Sequence, residues 1–394
     1  MKIAKKLAAI AASMAIASTM LGTTAFAAGG PVIPYGQIYD ACGETRLETL
    51  TDVNHVLTFK AGMKQDYNGP YDFYNNYNHR DIAGIVVVNQ TDVDSLYSAA
   101  MLCEYYNCML VFSEDTVYGK LSLDSFGGYE SDTFNIFTVS TGNNKVKDSV
   151  VNDIKDFNSK AAIKTNVVKI TGSNRVDTNT KILNYIINNK SKNELGNDRV
   201  TVCVMNQDSY SDLASAYNDP HNILYMLVSN NTLTANQKKV CKALGLKNTT
   251  YEFFGSTAKD GNNSIERQIR KAVGATSQYM CGHAVVGSDR YATNVMTMAN
   301  YKDNFAKTFM HGPTLLVDGT SEVDCLIAAC SSAISDRHNA NILLVSKSNP
   351  KVLNSINYSL KKAGVKSMST TDYNNMNKEA LYIAIGTAGS YAKI

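Results

Sequence analysis

Residues 287–293 read GSDRYAT. The chain has only eight arginines, yet three sit in this frame, Gly-x-x-Arg-x-x-Thr, which recurs as GETRLET at 43–49 and as GSNRVDT at 172–178. The frames start 129 and 115 residues apart in a chain of 394. Self-similarity at a near-fixed interval marks an internal repeat, in which each copy is one supersecondary unit that buries its apolar face against its neighbours.

The same order of segments follows each frame. In the second copy an apolar strand, Val167 to Ile170, runs into Gly172, and Thr178 stands where it could cap a helix with Ile182, Leu183, Ile186 and Ile187 on one face. Then come VTVCVM at 200–205, SDLASA at 211–216 and ILYMLV at 223–228. A helix from Thr234 to Leu244 is stopped by Gly245. YEFFG at 251–255 and the helical SIERQIRKAV at 264–273 complete the copy. The third copy repeats the plan with HAVVG at 283–287, TLLVD at 314–318, EVDCLIAA at 322–329 and NILLVS at 341–346. The first copy has GIVVV at 84–88, DVDSLYSAA at 92–100, CMLVFS at 108–113 and FNIFTVS at 134–140, with an insertion near 62–82 and no clear helix after its third strand. Continuous apolar strands alternating with amphipathic helices are the signature of parallel sheets covered on both faces. The expected fold is α/β: three tandem open α/β (Rossmann/Toprim-like) units with largely parallel sheets, over 28–165, 166–278 and 279–394.

Bulk properties narrow the function. Lys2, Lys5 and Lys6, the apolar run Leu7 to Met20 and the small-x-small Ala25-Phe26-Ala27 predict a signal peptide over 1–27 and a secreted chain. No later apolar run is long enough for a membrane span. Without the three leader lysines, 35 basic and 35 acidic side chains balance. Steering of the whole molecule toward a polyanion is not expected, nor is nucleic-acid binding, and any anion must be held by local sites. The eight cysteines (42, 103, 108, 203, 241, 281, 325, 330) form no Cys-x-x-Cys pair. They read as buried thiols more readily than as a disulfide framework. The six histidines (55, 79, 221, 283, 311, 338) show no ligand spacing, and no hydrolase, P-loop or dinucleotide motif is present. The expectation is a binding protein without catalytic centre, metal or cofactor.

The candidate ligand-binding residues are the three frame arginines, Arg46, Arg175 and Arg290, and three aspartates that follow the second strand, Asp94, Asp212 and Asp324. Loops beyond the carboxyl ends of parallel strands are where such sheets bind ligands. Guanidinium forks grip phosphate or carboxylate, and a helix N-terminus adds partial positive charge. The competing reading is that each Arg pairs with one of those Asp, within or between units, as structure. The frame glycines (Gly43, Gly172, Gly287) and threonines (Thr49, Thr178, Thr293) read as turn and cap residues. The Tyr- and Asn-rich stretch around Tyr67 to Tyr77 offers sugar-stacking faces, or is simply a structured loop.

GSDRYAT with NILLVS resembles the cell wall binding repeat type 2 family of clostridial surface proteins, and GSNRVDT and GETRLET follow the same pattern more loosely. The resemblance covers nearly the whole chain after residue 27, as three tandem repeats. It implies a triangular, pseudo-threefold module that holds its protein non-covalently on a Gram-positive wall. The implied partner is an anionic secondary polymer, teichoic-acid-like or polysaccharide, with contacts to other surface proteins as a further possibility. The alternatives are a wall hydrolase or a structural surface-layer component using the same anchor.

Overall fold

The structure, a computed structural model, describes residues 38–43, 45–58, 83–113, 133–160, 164–190, 195, 200–218, 223–245, 249–257, 264–274, 281–301, 313–332, 341–377 and 380–394. The leader at 1–27 and the tyrosine-rich insertion at 62–82 lie outside these residues.

The apolar runs form twelve strands among the described residues, arranged in three four-stranded, wholly parallel sheets. One sheet contains β2 (Gly84–Asn89), β3 (Cys108–Ser113), β4 (Thr133–Thr141) and β5 (Lys164–Gly172), in the order β3-β2-β4-β5. The next contains β6 (Val200–Asn206), β7 (Ile223–Val228), β8 (Thr249–Phe254) and β9 (Cys281–Val285), in the order β7-β6-β8-β9. The last joins β1 (Ile38–Ala41) to β10 (Pro313–Asp318), β11 (Asn341–Val345) and β12 (Leu381–Ile385), in the order β1-β12-β10-β11. The expected α/β architecture of three largely parallel units is the one observed.

Sheets and sequence repeats are offset by one strand. The strand leading into each frame does not begin the sheet of its own repeat. β5 pairs with β4, β9 with β8, and β1 with β12, each completing the edge of the preceding sheet. Divisions at 165/166 and 278/279 therefore cut across hydrogen-bonded sheets, and the ring closes when the first strand joins the last sheet.

The helices repeat the threefold plan. The frame helices are α1 (Arg46–Thr58), α4 (Arg175–Asn189) and α8 (Arg290–Tyr301). The helices after the central strands are α2 (Val93–Tyr106), α5 (Tyr210–Ala216) and α9 (Glu322–Ser332). Each of these central helices packs on the outer strand of the next sheet: α2 on β7, α5 on β11, α9 on β3. α9 also packs against both α2 and α5. Their apolar residues, Leu96, Leu213 and Leu326 among them, merge into one continuous core. Six cysteines (103, 108, 203, 241, 325, 330) are buried in it as free thiols, and Cys42 is exposed. The peripheral helices are α3 (Asp148–Lys160), α6 (Ala235–Leu244), α7 (Ser264–Val273), α10 (Val352–Lys362) and α11 (Thr370–Asn377). α6 begins with a Thr234–Gln237 capping box and ends at Gly245, whose φ of 66° explains the glycine.

An asparagine from each frame helix pins the outer strand it covers. Asn179 donates to Tyr225 O and accepts from Leu227 N, and Asn294 donates to Ile342 O and accepts from Leu344 N. Asn54 donates to Leu110 O. The registers against the central strands make Leu110, Tyr225 and Ile342 equivalent. The side-chain amides thus occupy backbone groups that an outer strand would otherwise leave open for another chain.

Candidate functional site: the arginine junctions

Each frame lies at the carboxyl end of its leading strand, where the chain turns into a frame helix. The helix caps are the residues just before the arginines, not the threonines. Asn174 Oδ1 accepts from Asp177 N, Asp289 Oδ1 accepts from Ala292 N, and Thr45 and Glu48 exchange reciprocal bonds. Thr49, Thr178 and Thr293 sit one turn inside and are buried. Their hydroxyls face back to the frame glycine. Thr49 Oγ1 accepts from Gly43 N at 3.2 Å, and Thr293 Oγ1 accepts from Gly287 N at 3.0 Å. A Cβ on Gly43, Gly172 or Gly287 would fall on the amide nitrogen of that same threonine. The expectation of Thr caps is therefore corrected: Gly and Thr form a clasp in which strand and helix backbones touch.

The clasp aims each arginine at one equivalent atom. Arg46 Nη1 donates to Gln90 O at 3.5 Å, Arg175 Nη1 to Gln207 O at 2.8 Å, and Arg290 Nη1 to Gly319 O. These carbonyls follow Asn89, Asn206 and Asp318, the last residues of the three central strands. Each of those residues ties down its own turn, accepting from the N–H two residues on. Every arginine thus bridges from the end of one sheet to the end of the next.

Their surroundings differ. Arg175 is covered: its Nε and Nη2 donate to Asp94 Oδ1 at 2.9 and 2.6 Å, and Nη1 reaches Asp208 Oδ1 at 3.0 Å. Glu322 Oε1 lies 3.7 Å away, the guanidinium stacks 3.8 Å from the Tyr97 ring centroid, and the side chain is only 16% exposed. Burial works to lower its pKa, but the bond to Asp94 and the surrounding negative charge outweigh it and hold it above the ordinary arginine value. Tyr97 in turn donates to Glu322 Oε1 at 2.6 Å, and burial together with that bond keeps its phenol protonated. Arg290 is half-buried and donates to Tyr210 Oη at 2.6 Å, lying 5.4 Å from that ring's centroid. Arg46 is exposed. Among the described residues no carboxylate pairs with Arg46 or Arg290.

The aspartates divide differently from their sequence positions. Counting from Asn89, Asn206 and Asp318 makes Ser95, not Asp94, the counterpart of Asp212 and Asp324. Asp212 and Asp324 are buried, with carboxylates against Gly255 and Gly386, and Asp324 Oδ2 accepts from Thr387 N at 3.0 Å. In the first unit that post is taken from three residues earlier. Asp92 Oδ2 accepts from Thr141 N at 2.8 Å and from Ser95 Oγ at 2.6 Å. By register Thr141 and Thr387 are equivalent, so Ser and Asp have exchanged places. The reason is the facing residue. Gly255 and Gly386, with φ of 55° and 53°, leave room for a carboxylate, and a Cβ there would strike it. Ser140 stands at that register in the first unit, and Ser95, the counterpart of Asp324, has its hydroxyl 3.0 Å from Thr141 Oγ1. Asp94 instead belongs to the Arg175 cluster.

The sequence thus identified the arginines that converge on the sheet ends, but not the capping residues, the Asp92–Ser95 exchange or the Tyr97–Glu322 pair. Among the described residues no group of three His, Cys, Asp or Glu side chains could hold a metal ion, and no helix is long and apolar enough to cross a membrane.

Residues 285–393 match the family model for cell wall binding domain 2 (CWB2). Among curated proteins no match is found. Two solved structures share the fold. Cwp8 from Clostridium difficile has a TM-score of 0.56 and 16% identity, over 90% of this chain and 50% of its own. Cwp6 from Clostridium difficile has a TM-score of 0.59 and 16% identity, over 94% of this chain and 50% of its own. The chain thus spans about half the length of each.

Proposed function

We propose, starting from the match of residues 285–393 to cell wall binding domain 2, that the whole chain is a non-catalytic surface protein. It attaches to a Gram-positive wall by holding an anionic secondary polymer. The observation that carries this reading is the threefold recurrence of an arginine at one register, beside the carboxyl ends of three parallel sheets. A guanidinium there meets the chemistry of a phosphate- or carboxylate-bearing chain, and ligands of open parallel sheets gather at that edge. The reading extends to a secreted protein whose leader is 1–27, with repeats at 28–165, 166–278 and 279–394.

The purified protein should sediment with native clostridial walls and stay in solution with walls stripped of their secondary polymers. Added salt should release it, because exposed ionic contacts are screened. Equal retention on native and stripped walls would refute polymer binding and point to the peptidoglycan itself.

A further inference from the structure

The three arginines meet equivalent carbonyls, but the repeats that carry them differ in charge. Residues 28–165 carry 18 acidic and 10 basic side chains, 166–278 carry 9 and 14, and 279–394 carry 8 and 11. The near-neutral total hides a molecule acidic in its first repeat and basic in the other two. Arg175, moreover, already has Asp94, Asp208 and Glu322 around it. An incoming anion would have to displace those carboxylates or sit among them. Arg46 belongs to the acidic repeat.

The Arg290 junction is built otherwise. Tyr291 follows the arginine where the other frames have Leu47 and Val176. Its ring lies against Gly319, where the other units have Gln90 and Gln207, and a Cβ on Gly319 would come within 2.7 Å of it. A ring and the space for it have thus been introduced together. Tyr291 is half-buried and meets Tyr358 edge-on at 5.9 Å. Gly319 N donates to Val345 O, which also accepts from Tyr391 Oη at 3.3 Å. Just beyond Val345 the turn carries exposed Lys347 and Lys351, and Lys351 pairs through its backbone with exposed Lys393. No acidic residue occurs in the sequence between Asp336 and Asp372. The two nearby carboxylates are engaged: Asp289 caps α8 and accepts from Tyr358 Oη, and Asp318 holds Thr320.

We infer that the anion site of this chain lies at the Arg290 junction alone, and that it takes an anionic sugar. The charge is held by Arg290 with Lys347, Lys351 and Lys393 at the rim, and the ring face by Tyr291. Arg175 is a clamp between units. This rests on the polymer-binding reading above and assigns its seat. Cations grouped around one turn favour a multi-oxygen anion, and a half-exposed phenol ring gives an apolar face to a sugar.

The test is retention of the full chain on clostridial walls, with melting temperature read in parallel. Arg290→Gln should cut retention at least tenfold. So should the triple change Lys347→Gln, Lys351→Gln, Lys393→Gln, whose exposed side chains leave folding intact. Arg46→Gln should leave retention unchanged. Arg175→Gln should lower the melting temperature while its folded fraction binds as before. Walls treated with hydrofluoric acid lose phosphodiesters, and walls amidated with a carbodiimide lose carboxylates; loss of binding on one identifies the anion as phosphate or uronate. The inference is overturned if the triple-lysine variant binds like the wild type, or if Arg46→Gln loses as much as Arg290→Gln. It is also overturned if both treated walls retain the protein. Failure of the wild type to bind native walls would instead overturn the polymer reading itself.

Discussion

Asp92 and Ser95 do in the first unit what Ser321 and Asp324 do in the third, with the roles exchanged. A buried carboxylate must accept hydrogen bonds or lose much of its solvation. What is preserved is a carboxylate on the N–H of Thr141 or Thr387, whichever residue supplies it. The exchange follows from Gly386. Replacing it with serine forces a left-handed φ on a residue with a side chain, which costs about 1–2 kcal/mol, and drives that side chain into Asp324. Gly386→Ser alone should therefore lower the urea midpoint by more than the backbone cost. Adding Asp324→Ser and Ser321→Asp, as in the first unit, should recover the excess. Equal midpoints for the single and triple variants would show that the carboxylate's position is irrelevant. The three frames were legible in the sequence because Gly, Arg and Thr each meet a fixed backbone neighbour. The aspartate register was not: Asp94 stands near Leu96 much as Asp212 stands near Leu213, and only the strand register, which makes Thr141 the counterpart of Thr387, shows that Asp92 holds the post of Asp324.

The helices and strands show what local pattern does and does not determine. SIERQIRKAV, read as a helix over 264–273, is one over those residues, and the apolar runs are strands within a few residues of their expected ends. Periodicity reports which face is buried, and it reports that well. It does not report which sheet a strand joins, and β5 has the same pattern whether it opens one sheet or closes another. The asparagines that pin the outer strands were equally hidden, since Asn54 lies a helical turn later in its frame than Asn179 and Asn294 do in theirs. Asn179→Leu keeps the branched shape but strands Tyr225 O and Leu227 N. Leaving a buried polar group unpaired costs about 1–3 kcal/mol. The melting temperature should fall, and the Leu227 amide should exchange with deuterium faster. An unchanged exchange rate at Leu227 would mean that α4 is held on β7 by apolar contact alone.

At the scale of the molecule the units form a ring rather than a row. Ile38, Tyr39, Asp40 and Ala41 pair with Tyr382 to Ile385, and Gly389 packs against Cys42. Removing residues 38–43 should bare the edge of β12 and loosen the third sheet, while the sheets of β2–β5 and β6–β9 keep all their strands. Limited proteolysis should then cut first between 313 and 394, and cleavage spread evenly over the chain would show that β1 is dispensable. The same closure sets an order in time. Strands 84–172 can assemble from neighbours in the sequence, and so can 200–285, but Ile38 must wait for a partner found only at Tyr382. Contacts between such distant residues cost loop entropy before they return any stability, and they form late. An emerging chain can therefore fold two of its sheets one after the other, while β1 stays unpaired until β12 is free.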